Sequence, residues 1–242
     1  MMHDGHRERI RKKFMNGDSL EDHEILEMVL FSSIPRSNTN EYAHCLIERF
    51  GSFCGVFDAN ANALMEVNGI GPSSAFLLRL ISECISRYSL QRQDTRDLLN
   101  DRESLMEYLR ALFIGCDYEK AMILFFNASG RLLEVCELGD GDVNLVHLSP
   151  RQALTAAARV NAASAVLVHN HPDGVLFPSD KDLVSTLQIS QALSTIHVNL
   201  VDHFIVANHQ CRPIDYLKEE KRIADLPLEK EKRGSVTFPS HF

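Results

Sequence analysis

Val166-Leu-Val-His169-Asn170-His171-Pro172-Asp173-Gly174-Val-Leu-Phe-Pro178-Ser179-Asp180-Lys181-Asp182 is the stretch that decides how this chain reads. It opens on an apolar run, Ala165 to Val168, short enough for a buried strand. Pro172 and Asp173-Gly174 mark a turn, and Pro178-Ser179 opens a helical pattern. His169 and His171 are two residues apart, so on a strand both side chains point the same way. Asp182 lies one turn into the following helix. Two imidazoles and a carboxylate converging there leave one tetrahedral position open, the ligand count of a catalytic zinc.

A plainer reading exists for each part. His-x-His pairs are common without a metal. Ser179-x-x-Asp182 before Leu183 and Val184 is also a helix-capping pattern. The whole string is more specific than its parts. His-x-His-Pro, six residues, Ser, two residues and Asp resembles the JAMM motif of the JAB/MPN metalloprotease superfamily. In the form His-Asn-His-Pro-x-Gly-x-x-x-Pro-Ser-x-x-Asp it resembles the RadC family in particular. That resemblance implies an α/β, JAB/MPN-like (cytidine deaminase-like) mixed sheet flanked by helices, with the metal at a strand end. It also implies a Zn2+-dependent hydrolase of the metalloprotease or isopeptidase kind, acting on a peptide or isopeptide substrate.

The rest of the chain is read around this motif. Its 242 residues suggest one large or two small domains. A hydrophobic share of 45% is ample for a core, and a net charge of −8 supplies no global field drawing the protein onto nucleic acid. The six cysteines are scattered with no Cys-x-x-Cys pair. That argues against a disulfide framework or a thiolate zinc site and for a reducing, cytoplasmic setting. No apolar run has membrane length, and no signal-peptide segment stands at the N-terminus.

Residues 1–92 read as a helical domain. Ile25, Leu26, Met28, Val29 and Leu30 follow Asp22-His-Glu24; Ala43, Leu46, Ile47 and Phe50 form a second pattern that Gly51 stops. Asp58 is expected to cap a short helix carrying Leu64, Met65 and Val67. Asn68-Gly69-Ile70-Gly71-Pro72 then leads into Phe76, Leu77, Leu80 and Ile81. This resembles a helix-hairpin-helix, whose glycine N–H groups at a helix start suit a DNA phosphate through Gly69 and Gly71. It reads equally as a helical turn that needs glycine, since Arg79 is the one basic residue close by in sequence. Gly5-His-Arg-Glu-Arg, Asp22-His-Glu, Ile34-Pro-Arg and Thr39-Asn40 also fit the RadC pattern.

Residues 93–104 read as a polar linker, 105–215 as the metal-binding domain and 216–242 as a charged tail. Ser104, Leu105, Tyr108, Leu109 and Leu112 describe an amphipathic helix. Ala121 to Phe126 is a central strand, Asn127 to Gly130 a hairpin turn, and Arg131 to Leu138 the partner. Leu145 to Leu148 is expected as another strand. Ser149-Pro150-Arg151-Gln152 starts a helix with Ser149 as cap. Asp180 to Leu193 forms the next helix. His197 to Val201 and Phe204 to Ala207 are expected as two strands separated by Asp202-His203, a pair that also fits the family.

Hydrolysis needs a carboxylate that is not a ligand, to take a proton and pass it to the leaving amine. The superfamily resemblance places it just ahead of a core strand, which points to Glu119; Glu134 and Glu137 remain alternatives. The same resemblance makes Ser179 a donor to the oxyanion, a role that competes with its cap. Asp202 or His203 would orient a ligand imidazole from behind, or form an ordinary polar pair in a turn. His147 and His197 read as structural or surface histidines. Where RadC chains usually have Ser after His-Asn-His-Pro, this chain has Asp173. The second reading of the whole is a DNA-associated repair protein whose metal site is structural or regulatory.

Overall fold

The computed structural model describes residues 2–35, 37–138 and 149–214. Seven helices come first: α1 (Met2–Met15), α2 (Asp22–Leu30), α3 (Thr39–Phe50), α4 (Phe53–Asp58), α5 (Ala61–Met65), α6 (Pro72–Arg92) and α7 (Arg102–Ala111). Next come β1 (Ala121–Phe126), β2 (Leu132–Leu138), α8 (Pro150–Val160), β3 (Ser164–Asn170), α9 (Asp180–Ser194), β4 (Asn199–Ala207) and β5 (Gln210–Pro213). The expected strand at Leu145–Leu148, His147 and the tail lie outside the described residues.

The strands form one mixed sheet in the order β2-β1-β3-β4-β5, with β3 parallel to β4 and the other pairs antiparallel. The helical region followed by a helix-flanked mixed sheet is the architecture the sequence predicted. Every residue of β1 is buried, as is nearly all of β3, because both sheet faces are covered; such strands read as continuous apolar runs rather than alternating ones. On one face Ile123, Phe125, Ala165 and Leu167 pack with Ala153 and Ala157 of α8 and Leu183 and Ile189 of α9. On the other, Met122, Leu124, Val166 and Val168 pack with Leu105, Tyr108 and Leu109 of α7. The helical region has its own core around Leu26, Leu46, Val56, Leu64 and Leu78.

Two local readings change. Asp58 does not cap the helix of Leu64; Asn60 does, accepting from Ala63 N at 2.7 Å. Asp58 ends α4, accepts the Gly115 N–H at 3.0 Å and lies 3.2 Å from His209 Nε2, tying the helices to the sheet. The second change is at Asp202-His203. These residues are no turn: they lie inside β4, one continuous strand. β5 follows, joined to β4 through Asn208 and His209, both at positive φ (47° and 61°), as a tight hairpin turn requires. A register shift on β4 makes Ala165 face Leu200 but Val166 face Asp202, so Val201 is the extra residue of a β-bulge. Two polar residues beside a bulge look like a turn in sequence.

Segment 93–104 packs along the β1–β2 hairpin. Thr95 O accepts from Leu132 N at 2.9 Å, Gly130 O accepts from Leu99 N at 3.1 Å, and Leu98 is buried.

Candidate metal centre

The site is assembled by strand register. Ala121 pairs with His169 in the antiparallel β1–β3 ladder. Continuing that register by two residues sets Glu119 opposite His171. His169, being odd-numbered like Leu167 and Ala165, faces the α8–α9 side. There α9 begins, with Ser179 as N-cap. Ser179 Oγ accepts from Asp182 N at 3.2 Å while the Ser179 N–H and hydroxyl both donate to Asp182 Oδ2, each at 2.7 Å. This capping box holds the carboxylate at the positive end of the helix, beside both histidines. His169 Nε2 lies 3.6 Å from Asp182 Oδ1, and His171 Nε2 lies 3.8 Å from Oδ2. Glu119, His169, His171 and Asp182 each offer a ligand atom, and those atoms lie within 4.8 Å of one another. The four side chains the sequence singled out therefore converge.

Behind His169 runs a chain of hydrogen bonds that fixes its tautomer. Thr186 Oγ1 lies 2.5 Å from Asp182 O and 2.6 Å from His203 Nδ1. A carbonyl only accepts, so the hydroxyl donates to it and must accept from His203 Nδ1–H. His203 is fully buried, and burial first, then the neighbouring His169 and His171, push its pKa well below the usual histidine value. It is neutral, and its Nε2 accepts from His169 Nδ1–H at 2.7 Å. Burial likewise lowers His169 to about 4, with Asp182 acting against it and His171 with it. His169 Nε2 is then a bare lone pair. On His171, Nδ1–H donates to Val175 O at 2.6 Å, which turns its Nε2 toward the site. The two Nε2 atoms face each other across 2.8 Å. Two ring nitrogens this close, beside a carboxylate, need a proton or a cation among them. Neutral imidazole and carboxylate oxygen are the donors that zinc and similar divalent ions take, so this donor set fits a metal.

A cavity of about 760 Å³ opens onto the group, lined by Asp117, Tyr118, Glu119, His171, Asp173 and Ser179 among others. Burial raises the Glu119 pKa; Asp182 and Asp173 add to this and His171 opposes it. Asp173 also accepts the Val175 N–H at 3.1 Å and so shapes the turn after His171. Glu134 and Glu137 are engaged elsewhere, with Arg159 and with Lys120 Nζ (2.7 Å) respectively.

Three contributors escaped the sequence reading: Thr186, the Val175 carbonyl and Asn170. Thr186 had a weak signal, one turn after Asp182 on the same helix face. A backbone carbonyl has none.

Gly69 and Gly71 lie at the α5–α6 turn, beside a cavity with Ser33, Ile34 and Pro35. Gly69 has φ +88°, and a Cβ there would overlap the Tyr42 ring. Gly71, the N-cap of α6, faces open space. Arg79 turns away and donates to Ala59 O at 3.3 Å. Arg7 is spent on the carbonyls of Ile34, Pro35 and Ser37.

A helix-flanked mixed sheet carrying a His-His-Asp group at a strand end, with a Glu beside it, defines a JAB-type domain. Residues 99–219 match the family model described as RadC-like JAB domain. The chain is 32% identical over 203 residues to UPF0758 protein SPO0054 of Ruegeria pomeroyi, an alignment covering 83% of this chain and 91% of that protein. It is 33% identical over 191 residues to UPF0758 protein HEAR2468 of Herminiimonas arsenicoxydans, covering 79% and 85%. The chain belongs to the RadC family. Among the described residues no helix is long and apolar enough to cross a membrane.

Proposed function

We propose that the chain is a zinc-dependent hydrolase of peptide or isopeptide bonds, with His169, His171 and Asp182 holding the metal. The observation that carries this is the pair of Nε2 atoms turned toward each other at 2.8 Å beside Asp182. A bound zinc supplies Lewis acidity, polarising a carbonyl and acidifying water. Glu119, beside the ligands but free of the strand ladder, takes a proton from the attacking water and hands it to the leaving amine. Its raised pKa moves it in the direction that proton shuttling requires. Ser179 holds Asp182 with its hydroxyl proton; stabilising an oxyanion requires that proton to swing toward the substrate, leaving the Ser179 N–H on Asp182. The open cavity between Tyr118 and the Val175–Ser179 segment admits an extended chain. The modules read from the sequence stay part of this proposal, as does a cytoplasmic setting, which the six free thiols suit.

A second reading, association with duplex DNA through Gly71, draws on one observation: a glycine with open space where no steric demand requires it. Among the described residues, Arg7 and Arg79 are hydrogen-bonded inside the fold, which favours the hydrolase.

The test is metal content by elemental analysis of wild type beside His171→Ala, followed by digestion of a peptide library by wild type and Glu119→Gln. One zinc per chain lost on removing His171, and cleavage lost in a Glu119→Gln protein that keeps its zinc, are the expected results. Zinc held equally by both proteins would remove the basis of the reading.

A further inference from the structure

We infer that Asn170, the residue between the two histidines, is the positioning residue for Glu119. This rests on the reading of Glu119 as the proton-transferring carboxylate. Side chains alternate along a strand, so while His169 faces α9, Asn170 points to the opposite side of the sheet, where it is 5% exposed. There its Nδ2 donates to Tyr118 O at 2.9 Å and its Oδ1 accepts from Lys120 N at 2.7 Å. Its own N–H donates to Lys120 O at 3.1 Å. The three bonds lie on either side of Glu119 and hold the backbone before and after it.

An amide is the group this place demands. Tyr118 O can only accept and Lys120 N–H can only donate, so the side chain must offer one donor and one acceptor at the same reach. Aspartate would set a carboxylate oxygen against a carbonyl, and leucine would leave both backbone groups unpaired in a buried place. Lys120 is held further by its ion pair with Glu137 at 2.7 Å. Residues 169–171 thus set both halves of the site. The histidines present the ligand atoms on one face, and Asn170 secures on the other the loop that carries the carboxylate. The separation of base and ligands is thereby fixed by one short piece of backbone, the preorganisation a catalytic constellation needs.

The experiment compares Asn170→Ala, and the milder Asn170→Ser should alanine not fold, with wild type in the full chain. Three quantities are read: amide hydrogen exchange at Lys120 in the metal-free protein, zinc affinity by chelator competition, and cleavage of the peptide library. Loss of a buried side-chain acceptor is expected to speed Lys120 exchange by about tenfold or more, with Val168 and Ile205 unchanged. Zinc affinity is expected to stay within about twofold, because the ligands hang from other partners. Cleavage is expected to fall in kcat to about the level of Glu119→Gln, and the double variant to fall no further. Unchanged exchange at Lys120 overturns the proposal whatever the substrate. Zinc loss alongside, or a double variant well below Glu119→Gln, would make Asn170 a general support and also overturn it. If Glu119→Gln leaves cleavage intact, the base assignment itself fails, an outcome separate from the exchange result.

Discussion

His203 Nε2 stands 2.7 Å from His169 Nδ1, and the bulge in β4 is what puts it there. Before the bulge Leu200 faces the α8–α9 core. After it the parity shifts, so His203 and Ile205 take that face and Phe204 and Val206 the other. Without the extra residue His203 would point to the α7 side, and His169 Nδ1–H would be buried without this acceptor. Bulges beside functional sites commonly re-aim a side chain in this way.

Removing the imidazole that orients His169 is therefore expected to weaken zinc binding. His203→Ala should lose affinity by about 10–100-fold, the range for partners behind a metal-bound histidine. Thr186→Val should lose less, because His203 keeps its bond to His169. Competition with a chromophoric chelator measures both. Equal affinity in His203→Ala and wild type would show that the tautomer is set some other way.

Glu119→Gln separates binding from chemistry. The amide keeps the shape and removes the proposed base, so zinc content should be unchanged while cleavage falls by about 10²–10⁴-fold. Elemental analysis and initial rates on the same preparation check both halves.

The two glycines should behave oppositely. Gly69→Ala meets the Tyr42 ring at a positive φ and is expected to destabilise by about 2 kcal/mol or more. Gly71→Ala meets open space at φ −95° and should shift stability by about 1 kcal/mol or less. Thermal melts compare the pair. A large loss on Gly71→Ala would mean that the α6 start is more confined than its open surroundings imply.

Acid should destabilise the metal-free protein before its carboxylates titrate. Burial holds His169 at about 4 and His203 well below the usual histidine range, whereas both titrate at about 6.5 when unfolded. Between those values the unfolded chain binds protons that the folded chain refuses, so stability falls as pH drops through the window. Calorimetry in excess chelator should show the melting temperature falling by several degrees from about pH 7 to about pH 5. His203→Phe, lacking one of the two groups, should flatten that dependence. A flat wild-type profile would contradict buried, neutral imidazoles.

Much of the site was legible because its parts are local. His169 and His171 share a face by strand alternation, and Ser179 with Asp182 forms one helical turn. Each needs only short-range geometry. Glu119 was legible from its place ahead of the β1 run together with the family resemblance. The buried strands β1 and β3 and the starts of α8 and α9 followed from apolar runs and caps.

Other features were not legible, because they depend on partners far away in the chain. Asp58 looked like a cap but serves Gly115, 57 residues on. His203 looked like a turn residue because a bulge, which has no sequence period, sits beside it. Sequence alone determined which residues have the chemistry to hold a metal and which elements carry them, since those properties reside in side-chain type and local backbone period. Only the tertiary structure decided that the β1–β3 register sets Glu119 against His171, that Asn170 secures the loop between them, and that Thr186 and His203 choose the tautomer of His169. Those outcomes hang on pairings between distant segments, where a one-residue slip would turn every side chain to the opposite face.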